Sequence, residues 1–79
     1  MSKDEITNNL KIRSFELSDI ILYGSQLECT DVPILLENLK EDINKNKDIL
    51  DPLDVEYLLD DVDYLNEKYQ ERLEEFSII

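Results

Sequence analysis

The sequence predicts an all-α fold, a small three-helix bundle with a long acidic C-terminal helix. Apolar residues recur at helical spacing in three separate segments of the 79-residue chain. The chain has one glycine and two prolines, which are too few turn-forming residues for a strand-rich fold. Helices joined by connections this short pack against one another as a bundle. The length predicts a single domain over residues 1–79.

The first helix is predicted to begin after Ser2 and to stop at Gly24. Ser2 and Glu5 have the spacing of a capping box, and glycine is common just past a helix end. One face of this helix is apolar at 100° per residue and consists of Ile6, Leu10, Leu17, Ile20 and Ile21. Residues 11–17 include the β-branched Ile12 and the aromatic Phe15, so a short strand or a break between two helices is an alternative there.

A second helix should begin near Thr30-Asp31-Val32-Pro33, where a hydroxyl or carboxylate can cap and proline is tolerated in the first turn. Its expected apolar stripe is Val32, Leu35, Leu36, Leu39 and Ile43. We expect this helix to fray over residues 44–47.

The third helix has the clearest start signal in the chain. Asp51 is the expected cap, Pro52 the first helical residue and Asp54 a favourable carboxylate in the first turn. Leu50 and Val55 have the spacing of a hydrophobic staple. The helix should run to about Phe76. Its predicted core face has heptad spacing and consists of Val55, Leu58, Val62, Leu65, Tyr69 and Phe76, with Leu73 beside it.

A second apolar face is predicted on the first helix, because Phe15 and Leu22 lie opposite its core face. Either the first helix is sandwiched between the other two, or this face supports a homodimer. A chain this short buries little surface by itself, which favours the dimer. The terminal Ile78-Ile79 is a candidate for the same contact.

The composition disfavours an enzyme. The chain has no histidine and a single cysteine, Cys29, so neither a disulfide nor a zinc site is expected. A glycine-rich phosphate loop is missing from the sequence, and an EF-hand reading of residues 44–55 fails at its glycine and glutamate positions. We expect no catalytic residue, metal or cofactor. The lone cysteine, the lack of a signal peptide and the short apolar runs predict a cytoplasmic protein without a membrane segment.

The net charge of −12, from twenty carboxylates and eight cations, predicts a basic partner. Direct binding to nucleic acid is disfavoured, because phosphate contacts require lysine or arginine. Binding to an anionic membrane surface is disfavoured for the same reason. The alternative is that the acidity only keeps a small protein soluble.

Most of the excess charge lies on the third helix, where residues 51–79 hold ten carboxylates and two cations. Six of the carboxylates follow the helical repeat on the side opposite the core, a set we call the acidic stripe. They are Glu56, Asp60, Asp63, Glu67, Glu71 and Glu74. They span about 27 Å, or one charge per about 5 Å, against about 3.4 Å for one DNA strand. Like charges at this spacing cost stability, which favours a functional surface.

Four further residues border the acidic stripe. Tyr57 and Tyr64 lie seven residues apart on the same side and are candidate hot spots for a partner, and Asp61 and Glu75 add charge on the flank. The alternative for the tyrosines is that both rings lean against the first helix or a second subunit.

This charge pattern, over roughly the last third of the chain, resembles that of DNA-mimic proteins, small acidic inhibitors that are often encoded by phages. The resemblance implies an inhibitor or regulator that occupies the nucleic-acid surface of a basic partner such as a nuclease, a restriction enzyme or a CRISPR effector, in the host cytoplasm if the protein is viral. Its interface would be the acidic stripe with Tyr57, Asp61 and Tyr64. The alternatives are an adaptor subunit that assembles through the heptad face, and an antitoxin or immunity protein that masks a basic toxin.

Overall fold

The computed structural model describes residues 2–78, and Ile79 and the side chain of Ile78 lie outside that description, as does their expected contact with a second subunit. The described chain forms three α-helices: α1 is Lys3–Tyr23, α2 is Val32–Lys45 and α3 is Pro52–Ile78. A short 3₁₀ segment, Glu28–Asp31, precedes α2. The predicted all-α three-helix bundle is confirmed.

Helix α1 is continuous through residues 11–17, so the strand and the helix break considered for that stretch are both wrong. The core decides this outcome, because Ser14 and Leu17 are buried against the other helices and their packing outweighs local β propensity. At the start of the helix, the hydroxyl of Ser2 accepts a hydrogen bond from the backbone N–H of Glu5 at 3.2 Å, as the capping pattern predicts.

Gly24 ends α1, and its backbone is extended rather than left-handed. Its N–H donates to the carbonyl of Ile20 at 2.9 Å. A Cβ at this position would lie well inside van der Waals contact with the same carbonyl oxygen, so the turn needs glycine for space. The carbonyl of Gly24 in turn accepts a hydrogen bond from Nη2 of Arg72 at 2.6 Å, which ties the end of α1 to α3.

The turn into α2 is capped by Ser25 and Glu28, not by the expected Thr30 and Asp31. The hydroxyl of Ser25 accepts from the N–H of Glu28 at 3.2 Å, and the N–H of Ser25 donates to Oε1 of Glu28 at 3.0 Å. The hydrogen bond from the backbone N–H of Ser25 to this carboxylate, and to a smaller extent the Ser25 side chain, hold the pKa of Glu28 below its ordinary value. Asp31 already has helical backbone angles and makes no side-chain cap, so the expected cap at that residue is wrong.

The ends of α2 and α3 are close to those predicted. Helix α2 stops at Lys45, inside the segment expected to fray, and residues 46–49 form a turn. Helix α3 starts at Pro52 as predicted and continues two residues beyond Phe76. The carboxylate of Asp51, just before α3, forms an ion pair with Lys3 at 2.5 Å.

Helices α1 and α3 run parallel, and α2 runs antiparallel to both. Lys3 meets Asp51 at one end of the bundle, and Gly24 meets Arg72 near the other. An ion pair of 2.6 Å between Arg13 and Asp42 joins α1 to the C-terminal part of α2. The result is a rod with principal extents of 45 × 18 × 16 Å.

The core contains the predicted heptad residues of α3. Val55, Leu58, Val62, Leu65 and Tyr69 are buried, and Phe76 is partly buried against them. On α2, Val32, Leu36, Leu39 and Ile43 are buried. Leu35, the remaining residue of the predicted apolar stripe, is 39% exposed and lies at the edge of that stripe. Cys29 is a buried free thiol in the same core.

Candidate functional site

The acidic stripe lies on the solvent side of one unbroken helix. All six of its carboxylates are exposed, and the residues between them keep α3 continuous from end to end. Five of the six make no ion pair within residues 2–78: Glu56, Asp60, Asp63, Glu67 and Glu74. The stripe is therefore a straight row of almost uncompensated negative charge.

Glu71 is the stripe residue that the structure pairs with a cation. Nζ of Lys68 donates to its Oε2 at 3.2 Å, one turn back along α3. This hydrogen bond and the negative charge of Glu71 raise the pKa of Lys68. Glu75, predicted to flank the stripe, pairs with Arg72 at 3.2 Å instead of facing solvent unaccompanied.

The two predicted tyrosines lie beside the acidic stripe on one side of α3, and Tyr57 also lines a groove with residues of α1. Tyr57 is 58% exposed and Tyr64 49% exposed, so each ring keeps a free face. Each ring also has a lysine ammonium above it: Lys11 lies 5.7 Å from the ring centre of Tyr57, and Lys68 lies 5.5 Å from that of Tyr64. Both distances are within the range of cation–π attraction, so each ring already interacts with a cation of its own chain.

Asp61 occupies a different position from the stripe. It points toward α1, where Oδ2 accepts a hydrogen bond from the buried hydroxyl of Ser14, and its side chain is partly buried. No ion pair to Asp61 is formed within residues 2–78. The structure thus places one of the nine predicted site residues at the helix interface beside the stripe rather than in its row.

A groove of about 450 Å³ runs along this interface between α1 and α3. Its walls include Ile12 and Phe15 from α1 and Tyr57 from α3, with Ser14 and Asp61 between them. Phe15 is 69% exposed and Leu22, farther along α1, is 41% exposed. Helix α1 contacts both α2 and α3 through its core side, and the face that carries Phe15 and Leu22 is open. The alternative in which both faces of α1 are covered by the other two helices is therefore wrong.

Sequence reasoning did not predict the groove, since it depends on which helix packs beside α3 and in which direction. A partial signal was present: Phe15 on the first helix and Tyr57 on the third both lie away from the core faces of their helices. Lys11 was also missed; it pairs with Asp54 at 3.6 Å at one end of the groove.

The heptad residues of α3 are buried against the other helices of the same chain. All five residues that a second subunit would share in the adaptor alternative are at most 8% exposed, namely Val55, Leu58, Val62, Leu65 and Tyr69. A second chain would reach them only by opening the bundle. An assembly contact in the folded protein would instead use the open face with Phe15 and Leu22.

Over residues 2–78, none of the helices combines the length and the apolar character that crossing a bilayer requires. Compared with protein-family models, curated proteins and solved structures, the chain matches none.

Proposed function

We propose that this protein is a non-catalytic, acidic binding protein that inhibits or regulates a basic, nucleic-acid-binding partner by occupying the partner's nucleic-acid surface. The observation that carries the proposal is the acidic stripe, a row of six exposed carboxylates on one rigid helix with five of them unpaired over residues 2–78. The anion spacing is within a factor of two of that of a DNA strand, at about 5 Å against about 3.4 Å.

The chemistry of binding follows from that spacing. Carboxylates at the positions of phosphates accept charge-assisted hydrogen bonds from lysine and arginine. A single-sign row also steers a cationic surface toward it, so association is fast and strongly dependent on salt. Tyr57 and Tyr64, half exposed beside the row, add apolar area with a polar tip, a combination typical of interface hot spots.

The proposal also includes the compartment in which the protein acts. A free, buried Cys29 suits a reducing compartment, which supports the cytoplasm, or the host cytoplasm for a phage-encoded protein. Inhibitors of nucleases, restriction enzymes and CRISPR effectors are the functional types that this mode of action serves. An antitoxin or immunity protein that masks a basic toxin would use the same surface and is distinguished by the identity of the partner.

The second candidate is an assembly subunit, and the exposure of Phe15 and Leu22 favours it. In that case the open face of α1 meets another chain, and the acidic stripe only keeps the assembly soluble. Apolar contacts respond weakly to salt, whereas contacts between exposed charges are screened by it, so salt dependence separates the two candidates.

The experiment is a pull-down from native lysate with the tagged full chain, eluted with a salt gradient and repeated with excess duplex DNA. The proposal expects nucleic-acid-binding proteins that elute at moderate salt and are displaced by DNA. A captured protein that resists both salt and DNA would refute it and support the assembly subunit.

A charge-matched pair of variants completes the test. The first changes four stripe residues to lysine: Glu56, Asp60, Asp63 and Glu67. The control changes to lysine four exposed carboxylates of α1 and α2 that form no ion pair within residues 2–78: Glu16, Asp19, Glu37 and Glu41. Both variants have the same net charge, so the proposal expects only the first to lose the DNA-competable partner while circular dichroism shows intact helices. Equal loss in both variants would show that total charge, not the stripe, is responsible.

A further inference from the structure

The groove between α1 and α3 contains a carboxylate with unused bonding capacity. Asp61 is partly buried there, and its Oδ2 accepts one hydrogen bond, from Ser14. A carboxylate can accept about four hydrogen bonds, and a partly desolvated one gains most from a cationic donor. Because the described residues form no ion pair with Asp61, a positive group from another molecule would complete its environment.

The walls of the groove suit a flat cation. Phe15 and Tyr57 present exposed aromatic rings on opposite helices, and Ile12 adds aliphatic surface. The chain itself shows that Tyr57 receives a cation, since the Lys11 ammonium lies 5.7 Å from its ring centre. A carboxylate beside aromatic faces provides the two contacts that a guanidinium makes well, hydrogen bonding at its edge and stacking on its plane.

We propose that this groove binds an arginine side chain of the basic partner, with the guanidinium on the ring of Tyr57 and its N–H groups on Asp61. The inference rests on the proposed function and adds to it a preference for arginine over lysine. Lysine lacks the planar fork that would serve the ring and the carboxylate at once.

Lys11 is the group that the incoming arginine displaces. Its ion pair with Asp54 is long, at 3.6 Å, and the side chains of Lys11 and Asp54 are 45% and 30% exposed. Exposed pairs of this kind contribute little to stability, so the lysine can leave the ring at small cost. Its positive charge nevertheless competes for the same site, and its removal should therefore strengthen arginine binding.

The test uses two peptide probes of equal length, oligoarginine and oligolysine, titrated into the full chain by isothermal titration calorimetry at several salt concentrations. We expect oligoarginine to bind about threefold to tenfold more tightly, the range that one added cation–π contact and one paired hydrogen bond supply. Arginine peptides can bind any carboxylate surface more tightly than lysine peptides do. The test of the groove is therefore how the ratio of the oligoarginine affinity to the oligolysine affinity changes among variants.

Two substitutions remove the proposed groove contacts one at a time. Asp61→Asn keeps an oxygen for the Ser14 hydroxyl and removes the charge, and Tyr57→Leu keeps apolar volume and removes the ring. Each should lower the oligoarginine affinity several-fold more than the oligolysine affinity, so that the ratio falls toward one. The matched control is Asp63→Asn, which removes one charge of the acidic stripe outside the groove and should weaken both peptides equally.

Lys11→Ala provides a change in the opposite direction. It should raise the ratio, whereas Lys45→Ala, which removes an equal charge from the end of α2, should strengthen both peptides to the same small extent. If both peptides bind and none of the groove variants changes the ratio, the inference is wrong and the stripe proposal stands. If neither peptide binds the wild-type chain at low salt, the proposed function fails and the inference fails with it.

Discussion

Neutralising part of the acidic stripe should make this protein more stable. The proposed variant carries Glu56→Gln, Asp60→Asn, Asp63→Asn and Glu67→Gln. These four exposed residues form no ion pair in the described chain, so their replacement sacrifices no salt bridge. Amides of the same shape also keep helix propensity nearly unchanged.

The magnitude follows from the spacing on α3. The stripe contains five like-charged neighbours three or four residues apart, and the variant removes four of them, the exception being Glu71 with Glu74. At about 0.2–0.5 kcal/mol for each neighbour, the free energy of unfolding should rise by about 0.8–2 kcal/mol. For a domain of this size the corresponding rise in Tm is roughly 3–16 °C.

The assay is urea unfolding followed by circular dichroism at low ionic strength and again at 1 M salt. The Debye length falls from about 10 Å at 0.1 M salt to about 3 Å at 1 M, which is below the distance between neighbouring side chains. At 1 M salt the increase in the free energy of unfolding should therefore largely vanish. Two single variants give an internal control: Glu67→Gln removes two repulsive neighbours and Glu56→Gln removes one, for the same change of charge. A stability that is unchanged or lower at low salt would refute the reasoning that the stripe costs stability, and with it one argument for its function.

Three further predictions concern the turn and the ties of the bundle. Gly24→Ala should destabilise the fold by about 1–3 kcal/mol in urea unfolding, because the new Cβ would force the carbonyl of Ile20 to move; an unchanged midpoint would contradict this. Arg72→Met should cost about 1.5–3 kcal/mol, since it removes a charged hydrogen bond to the Gly24 carbonyl. Arg72→Lys should recover little of that loss if the planar guanidinium matters. The lowered pKa of Glu28 means that this carboxylate stabilises the fold above its ordinary value of 4.5, and that the contribution is lost as pH falls through the folded-state pKa. Ser25→Ala removes the side-chain cause but keeps the backbone N–H, which is the larger one. The pKa of Glu28, measured by NMR titration, should therefore rise only part of the way to its ordinary value; a complete return would contradict the assigned backbone cause.

Sequence reasoning succeeded where a local pattern and the core agreed. Pro52 opens α3 because its ring suits the first helical position, and Leu58 and Leu65 are buried because heptad spacing keeps both on one face. The exposure of the stripe follows from the same periodicity. These features depend on distances along the chain of one helix, which the sequence contains directly.

It failed where two local signals competed or where distant segments meet. Ser25 and Glu28 have the same capping spacing as Ser2 and Glu5 and form the cap. The hydroxyl and carboxylate at Thr30 and Asp31, which lie closer to Pro33, give a competing local signal that predicts the wrong cap. Helical periodicity places Asp61 on the flank of the stripe, which predicts a role in the same surface. Its contact with Ser14, 47 residues away, depends on the parallel packing of α1 and α3, which no local pattern determines.

That parallel packing has a consequence for how the molecule is oriented in an electric field. Peptide dipoles add along a helix and place partial negative charge at its C-terminus. Helices α1 and α3 end at the same pole of the rod, as the contact of Gly24 with Arg72 shows, and α2, shorter and reversed, opposes only part of their sum. Glu74 and Glu75 lie toward the same pole. The molecule is therefore a long dipole as well as an anion, and a cationic surface would exert a torque that turns this pole toward it before contact.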